Sequence, residues 1–316
     1  MLRYLPHNEI NEKNWNDCVK ASTQSIIYAF SWYLNAVCKR WDAVVEMDEQ
    51  GMYTSVFPLP LGRRFGQLGV LQPYFTQQLG LFTTPQSKYK SIADYLPLIP
   101  QKYKSIYLQL NTANTENALH NPQRLLAKER VTYHLQLQQS YPELYSRYST
   151  NQKRNIRKAE KAGVAVCELK DIKTLISLFK STKGKELTEV KEKHYRMLAN
   201  LFATLEQRGF ADLVQATAAD GEVLAAALLA HQPDKIIFLF GASSDAGKKY
   251  GAMAFLLDSI TKKYSATSRI LDFEGSMEPT VAKFYANFGA TPVTYVSLSR
   301  QHTPWYLIWK EAISTS

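Results

Sequence analysis

The sequence predicts a mixed α/β protein of the α+β kind, built as two domains that are each a mostly antiparallel sheet flanked by helices. Three observations carry this. The chain has 316 residues, roughly twice a common domain length. Strand-like runs bounded by turn residues recur in both halves. In the second half three consecutive strands give way to helix, strand, helix, strand, an order that calls for a mixed sheet. The character of the chain changes near Tyr141, so 1–140 is expected as the first domain and 141–316 as the second.

In the first half a helical segment, Trp15–Lys39, precedes the runs WDAVVEM and MYTSVFPL. These flank the turn residues Asp48-Glu49-Gln50-Gly51 and read as a hairpin. A Gly- and aromatic-rich stretch, Gly62–Phe82, leads to a helix over Ser87–Leu98 and the strands SIYLQL and VTYHLQL. Between those strands Asn111–Arg130 is polar and reads as a long loop. In the second half, helices are expected over Ser149–Gly163 and Asp171–Ser181. A third is amphipathic through Leu198, Leu201, Phe202 and Leu205 and closed by Gly209. Strands Ala211–Ala218, Val223–Ala230 and Lys235–Phe240 form a meander. A helix (Gly251–Tyr264), a strand (Arg269–Glu274), a helix (Pro279–Phe288) and a strand (Pro292–Leu298) complete the chain, and no internal repeat is evident.

Composition narrows the class of protein. An apolar fraction of 45% and a charged fraction of 21% are ordinary for a globular chain. Cys18, Cys38 and Cys167 show no C-x-x-C spacing and read as small buried hydrophobes in a reducing compartment. The N-terminus lacks an apolar signal-peptide core, and the run Ser25–Val37 is too short to span a bilayer, so a cytoplasmic location without a membrane span is expected. The histidines, at 7, 120, 134, 194, 231 and 302, have no metal-ligand spacing. The formal charge of +10 favours acidic partners.

Four constellations could carry chemistry. In the strand ending LDFEG, alternation places Asp272 and Glu274 on one face, where two carboxylates could orient or deprotonate an amine or simply end the strand in solvent. On the next helix Tyr285 is either a buried phenol with a hydrogen-bond partner or a general acid. The segment Gly241–Gly251, with Ser243, Ser244, Lys248 and Lys249, joins a strand to a helix and could hold a phosphate on backbone amides, or be only a turn. Along one helix Arg154, Arg157, Lys158 and Lys161 form a basic stripe, suited to a polyanion or to plain solvation.

Taken together, these segments resemble the acyltransferases of the GNAT fold, and more closely the Fem-type (FemAB-like) branch, in which two such domains stand in tandem. Glu278-Pro279 stands at the GNAT helix start, and Phe284-Tyr285-Ala286-Asn287-Phe288-Gly289 at its F-Y-x-x-x-G end. The Fem-type pattern R-N-I-x-K-A-x-K-x-G-V is present as Arg154–Val164, followed in the family's order by Gly241–Ser244 and Asp272–Gly275. The likeness covers Arg154–Ala290 well and the first half loosely, which makes the N-terminal domain a degenerate copy. Two positions depart. Met253 stands where the pyrophosphate loop has a small residue, and Tyr285 where Fem-type enzymes have a lysine.

The resemblance implies an N-acyltransferase that uses acyl-CoA or aminoacyl-tRNA as donor substrate, binds no permanent cofactor and acts on a small-molecule or peptide amine. Asp272 or Glu274 would orient or deprotonate the amine, and Tyr285 would protonate the leaving group. Gly241, Ser243, Ser244, Lys248, Lys249, Gly251, Arg154, Arg157 and Lys158 would hold the donor's phosphates. A tandem domain that has lost turnover and only binds a ligand, and a general RNA-binding protein, are the rival readings. The oligomeric state is not indicated.

Overall fold

The computed structural model describes residues 1–64, 66–115, 125–187, 189–275 and 277–300. His120, His302 and part of the expected Asn111–Arg130 loop lie outside the described residues.

In chain order the elements are β1 (Leu2–Leu5), α1 (Glu12–Ala21), α2 (Ser31–Val37), β2 (Trp41–Met47), β3 (Tyr53–Arg64), β4 (Gln67–Leu71), β5 (Phe82–Thr83), α3 (Ile92–Tyr95), β6 (Ser105–Gln109) and β7 (Leu126–Gln136). There follow α4 (Tyr141–Ser146), α5 (Thr150–Lys161), β8 (Ala165–Glu168), α6 (Ile172–Ser181), α7 (Glu192–Gln207), β9 (Ala211–Thr217), β10 (Val223–His231) and β11 (Lys235–Ser243). The last are α8 (Asp245–Tyr250), α9 (Ala252–Tyr264), β12 (Ile270–Asp272), α10 (Pro279–Ala286) and β13 (Thr291–Arg300).

The chain divides into two compact units, one of 1–130 with 294–316 and one of 131–293. The first unit therefore ends at Arg130, and the segment after Val293 returns to it, whereas the sequence reading put the whole of 141–316 in one domain.

Both units are mixed sheets flanked by helices, with the same strand logic. In the first, β1, β2, β3 and β4 pair antiparallel in that order, β4 pairs parallel with β6, and β6 pairs antiparallel with β13. In the second, β8, β9, β10 and β11 pair antiparallel, β11 pairs parallel with β12, and β12 pairs antiparallel with β7. Each parallel pair is three residues long: Gly69–Leu71 with Ser105–Tyr107, and Lys235–Ile237 with Ile270–Asp272. This shared order is the internal repeat that the sequence conceals. The copies differ between their parallel strands. The second unit has the 13-residue helix α9 there, and the first only the short α3 among its described residues.

Several helices are shorter than composition suggests. Trp15–Lys39 is interrupted because Ser31 starts a new helix, its amide bonded to Asn16 Oδ1 at 2.9 Å. The Trp15 indole N–H donates to Ala29 O across the same break. Ser87–Leu98 keeps one turn of α-helix before Pro97, which lacks an amide proton, brings in a 3-10 turn. In the second unit the inner face of α5 (Gln152, Ile156, Ala159) and the apolar face of α9 pack on β9, β10 and β12 in one core with Leu224, Leu229, Leu271 and Phe273. Among the described residues no helix is long and apolar enough to cross a membrane.

Candidate active site

The second unit contains a cleft of about 600 Å³. Its origin is the short register of β11 on β12. Pairing ends at Ile237 and Asp272, while β11 runs on to Ser243. Gly241, Ala242 and Ser243 line one side of the cleft, with Phe238 at its base.

The far side comes from α10. Pro279 fits the first turn of this helix, where no amide donor is needed. Val281, Phe284 and Tyr285 of α10 line the cleft. Tyr285 is only 8% exposed, its ring lying on Phe273 with centroids 4.8 Å apart and planes 16° apart. Its hydroxyl has no hydrogen-bond partner among the described residues. Burial, and then the charges of Glu274 and Asp272, push its pKa well above the usual phenol value, so it keeps its proton throughout the physiological range. The Tyr285 side chain is thus buried, lines the cleft and makes no hydrogen bond to a described residue.

Asp272 and Glu274 do not share a strand face. β12 ends at Asp272 and Glu274 adopts a left-handed backbone (φ 52°), so alternation does not extend through both residues. The cause is the next residue. A Cβ on Gly275 would stand 2.4 Å from Thr132 Cα and 2.5 Å from Val131 O, so the backbone presses onto β7 and must turn there.

Asp272 is 1% exposed and does not line the cleft. Its carboxylate accepts from Thr132 Oγ1 at 2.7 Å, from the Glu274 amide at 3.0 Å and from Lys235 Nζ at 3.4 Å, and lies 3.1 Å from His134 Nε2. Burial pushes its pKa up, but the His134 contact and the Lys235 charge outweigh it and hold the value at about 2. Such a carboxylate is charged, fully engaged and a weak base. His134 and Thr132 share one face of VTYHLQL, a signal visible in the sequence, but nothing in their spacing connects them to a residue so far along the chain.

The segment Gly241–Gly251 is not an open loop. β11 extends through Ser243, and Ser244 caps α8 by accepting from the Gly247 amide at 2.9 Å. The glycine at 251 is required by geometry: φ is +76°, and a Cβ there would stand 2.7 Å from Asn155 O. It opens α9, whose N-terminus carries no side-chain cap. Gly241, Ser243, Lys248 and Gly251 line the cleft, joined by Asn155 of α5, while Ser244 and Lys249 do not. Met253 also lines it, its Cε 3.3 Å from where a Cβ on Gly241 would stand.

Arg154, Arg157, Lys158 and Lys161 are exposed on α5. With Thr150 and Lys153 they line a separate depression of about 650 Å³. The same helix thus gives Asn155 to the cleft and its basic face to the surface outside. The remaining wall was missed in the sequence. It consists of Phe179 at the end of α6 and Thr182, Lys183 and Glu186 in the following turn, residues with no motif to mark them. Among the described residues no group of His, Cys, Asp and Glu is arranged to hold a metal ion.

These features define a class. Residues 146–277 match the family model described as the acetyltransferase (GNAT) domain. The chain's fold is shared with FemX, at 14% identity and a TM-score of 0.64 over 93% of this chain and 96% of that one. It is also shared with a conserved protein of unknown function from Bacteroides thetaiotaomicron, at 10% identity and a TM-score of 0.61 over 94% and 100% of the two chains. A third likeness is to the C-terminal domain of a putative lysylphosphatidylglycerol synthetase from Agrobacterium fabrum, at 11% identity and a TM-score of 0.54 over 92% of each chain. The resemblance read from the sequence, a GNAT fold of the Fem-type branch, thus holds at the level of fold. No curated protein matches the sequence.

Proposed function

We propose that the second unit transfers an acyl group from a coenzyme A thioester to an amine. The observation that carries this reading is Tyr285, a nearly buried phenol whose hydroxyl bonds to no described residue, on the same cleft as the β11 edge and the uncapped start of α9. The backbone edge of Gly241–Ser243 suits the donor's amide-bearing arm. The α9 N-terminus and Lys248 suit its phosphates through the helix dipole and the lysine charge. Beyond Gly251 and Asn155 the basic face of Arg154, Arg157 and Lys158 would take the outermost phosphates. A charged-tRNA donor has no support from the comparisons.

In the reaction the amine nitrogen forms a bond to the thioester carbon and the carbon–sulfur bond breaks. The departing sulfur takes the phenol proton of Tyr285. The new amide nitrogen loses one proton to solvent, and Tyr285 regains one from solvent. Glu274, whose charge acts on Tyr285, does not itself line the cleft and would orient the amine from the turn after β12. Asp272 acts at one remove, as a positioning residue that fixes the turn holding Glu274. General-acid assistance of this kind is worth about 10²–10⁴ in rate.

The test is thiol release from acetyl-CoA and longer acyl-CoA thioesters across a panel of amines. Saturable, amine-dependent release supports transfer. Tight CoA binding with no release for any pair would mark a ligand-binding protein, and absence of CoA binding would remove the donor assignment.

A further inference from the structure

We propose that the acceptor is an amine on an arylalkyl body, of the phenethylamine type, and not an amino sugar or a polyamine. This rests on the reading of the cleft as an acyl-transfer site and names the acceptor class for it.

Beside Tyr285 the cleft lining is aromatic, with the rings of Phe284 and Phe238 5.8 and 6.4 Å from the phenol ring, and Phe179, Val281 and Met253 add further apolar surface, Phe238 and Met253 also abutting Gly241. These rings are held by a second set of rings. Phe179 packs on Phe240 with centroids 4.6 Å apart, and Phe284 stands edge-on to Phe288 at 5.6 Å and 86°. A pocket of preset aromatic faces and edges suits an aromatic guest, which gains edge-to-face contacts beyond plain burial.

A sugar would need polar side chains with spare donors, and the throat does not supply them. Thr182 Oγ1 donates to Leu178 O at 2.7 Å, and the Thr280 hydroxyl donates to Glu278. Ser243 and Asn155, the other uncharged polar residues with side-chain hydrogen-bonding groups on the lining apart from Tyr285, lie at the donor end beside Gly241 and Gly251. A polyamine would need carboxylates spaced along the cavity. Instead the acids of the lining are Glu186 and Glu278, both exposed, with Lys183 paired to Glu186 at 2.9 Å. They form a charged mouth that draws in an ammonium group, which gives up one proton to solvent there and advances past apolar walls as the neutral amine to reach the thioester carbon next to Tyr285. There the nitrogen forms the carbon–nitrogen bond as the carbon–sulfur bond breaks, and the departing sulfur takes the phenol proton of Tyr285.

Ligand-observed NMR and calorimetric titration of the full chain with phenethylamine, glucosamine, spermidine, CoA and hexanoyl-CoA test this without requiring turnover. Phenethylamine should bind at least tenfold more tightly than glucosamine or spermidine. Phe284→Ala should remove that preference, and Val281→Asp, at a half-buried position, gives the same readout if the first variant does not fold. Equal or tighter binding of glucosamine or spermidine overturns the proposal. So does a gain in affinity from CoA to hexanoyl-CoA accompanied by displacement of phenethylamine, which would give the apolar throat to the acyl chain. Failure of the acyl-transfer reading appears separately, as absence of CoA binding.

Discussion

Tyr285 lies flat on Phe273, the two rings 4.8 Å apart and within 16° of parallel, so the residue following the buried Asp272 sets the height of the phenol in the cleft. Phe273 is 1% exposed and also meets Phe288. Replacing it by leucine should cost about 1–2 kcal/mol, from the lost ring contacts and imperfect filling. The phenol should lose its seat as well. Thermal melting and thiol-release kinetics on Phe273→Leu should show kcat falling by more than stability alone explains, with KM for the donor little changed.

Asp272→Asn isolates the buried ion cluster. The folded-state pKa of about 2 lies below the ordinary carboxylate value, so the charged form contributes roughly 2–3 kcal/mol to stability at neutral pH. The sign follows from the depressed pKa: this contribution is present above about pH 4 and is lost as pH falls towards 2. The amide variant leaves Lys235 without its counter-charge, at a cost of about 3–5 kcal/mol, and should flatten the acid limb of the stability curve. Urea denaturation between pH 2 and 7 reads both effects.

Asp258 should behave in the opposite sense. It is buried on α9, and the Tyr141 hydroxyl donates to it at 2.9 Å. Burial raises its pKa, and the hydrogen bond from Tyr141 offsets this only in part. A carboxyl raised in the folded state favours folding when protonated, so its contribution fades as pH rises above the ordinary carboxylate range. Asp258→Asn keeps an acceptor for Tyr141 and removes the charge. Its melting temperature should exceed that of the wild type at pH 8 by more than at pH 4.

Neutralising Arg154, Arg157 and Lys158 together should leave the melting temperature unchanged, because all three are exposed and none is paired with a carboxylate among the described residues. CoA affinity should fall by roughly tenfold at low ionic strength, and the deficit should shrink as salt screens the contact. Calorimetry at two salt concentrations measures it. An unchanged affinity would confine the donor site to the cleft.

The sequence disclosed elements better than it disclosed sites. Helix α5 was legible from Ser149 to Gly163 because its cap, periodicity and terminal glycine agree: Ser149 accepts from the Gln152 amide, and Gly163 takes a φ of +70°. The Asp272–Glu274 face was misread because a period of two holds only while the strand continues. What ends β12 is the contact of Gly275 with Thr132, a tertiary event. Gly241–Gly251 passed for a loop because its glycines serve packing: a Cβ on Gly247 would stand 1.9 Å from Leu224 O. The partners of Asp272 and the Phe179–Glu186 wall come from separate elements that only the sheet order brings together. The common strand order of the two units is carried by pairing pattern, and residue identity does not report it.

Tyr285→Phe isolates the general-acid role of the phenol. The variant keeps the ring on Phe273 and removes only a hydroxyl that bonds to no described group, so folding and CoA affinity should be preserved. Side-by-side measurement of CoA dissociation constant and kcat for acyl transfer should give affinity within about twofold and kcat lower by more than tenfold, in keeping with the loss of a general acid. An unchanged kcat at unchanged affinity would contradict the account and take Tyr285 out of the reaction.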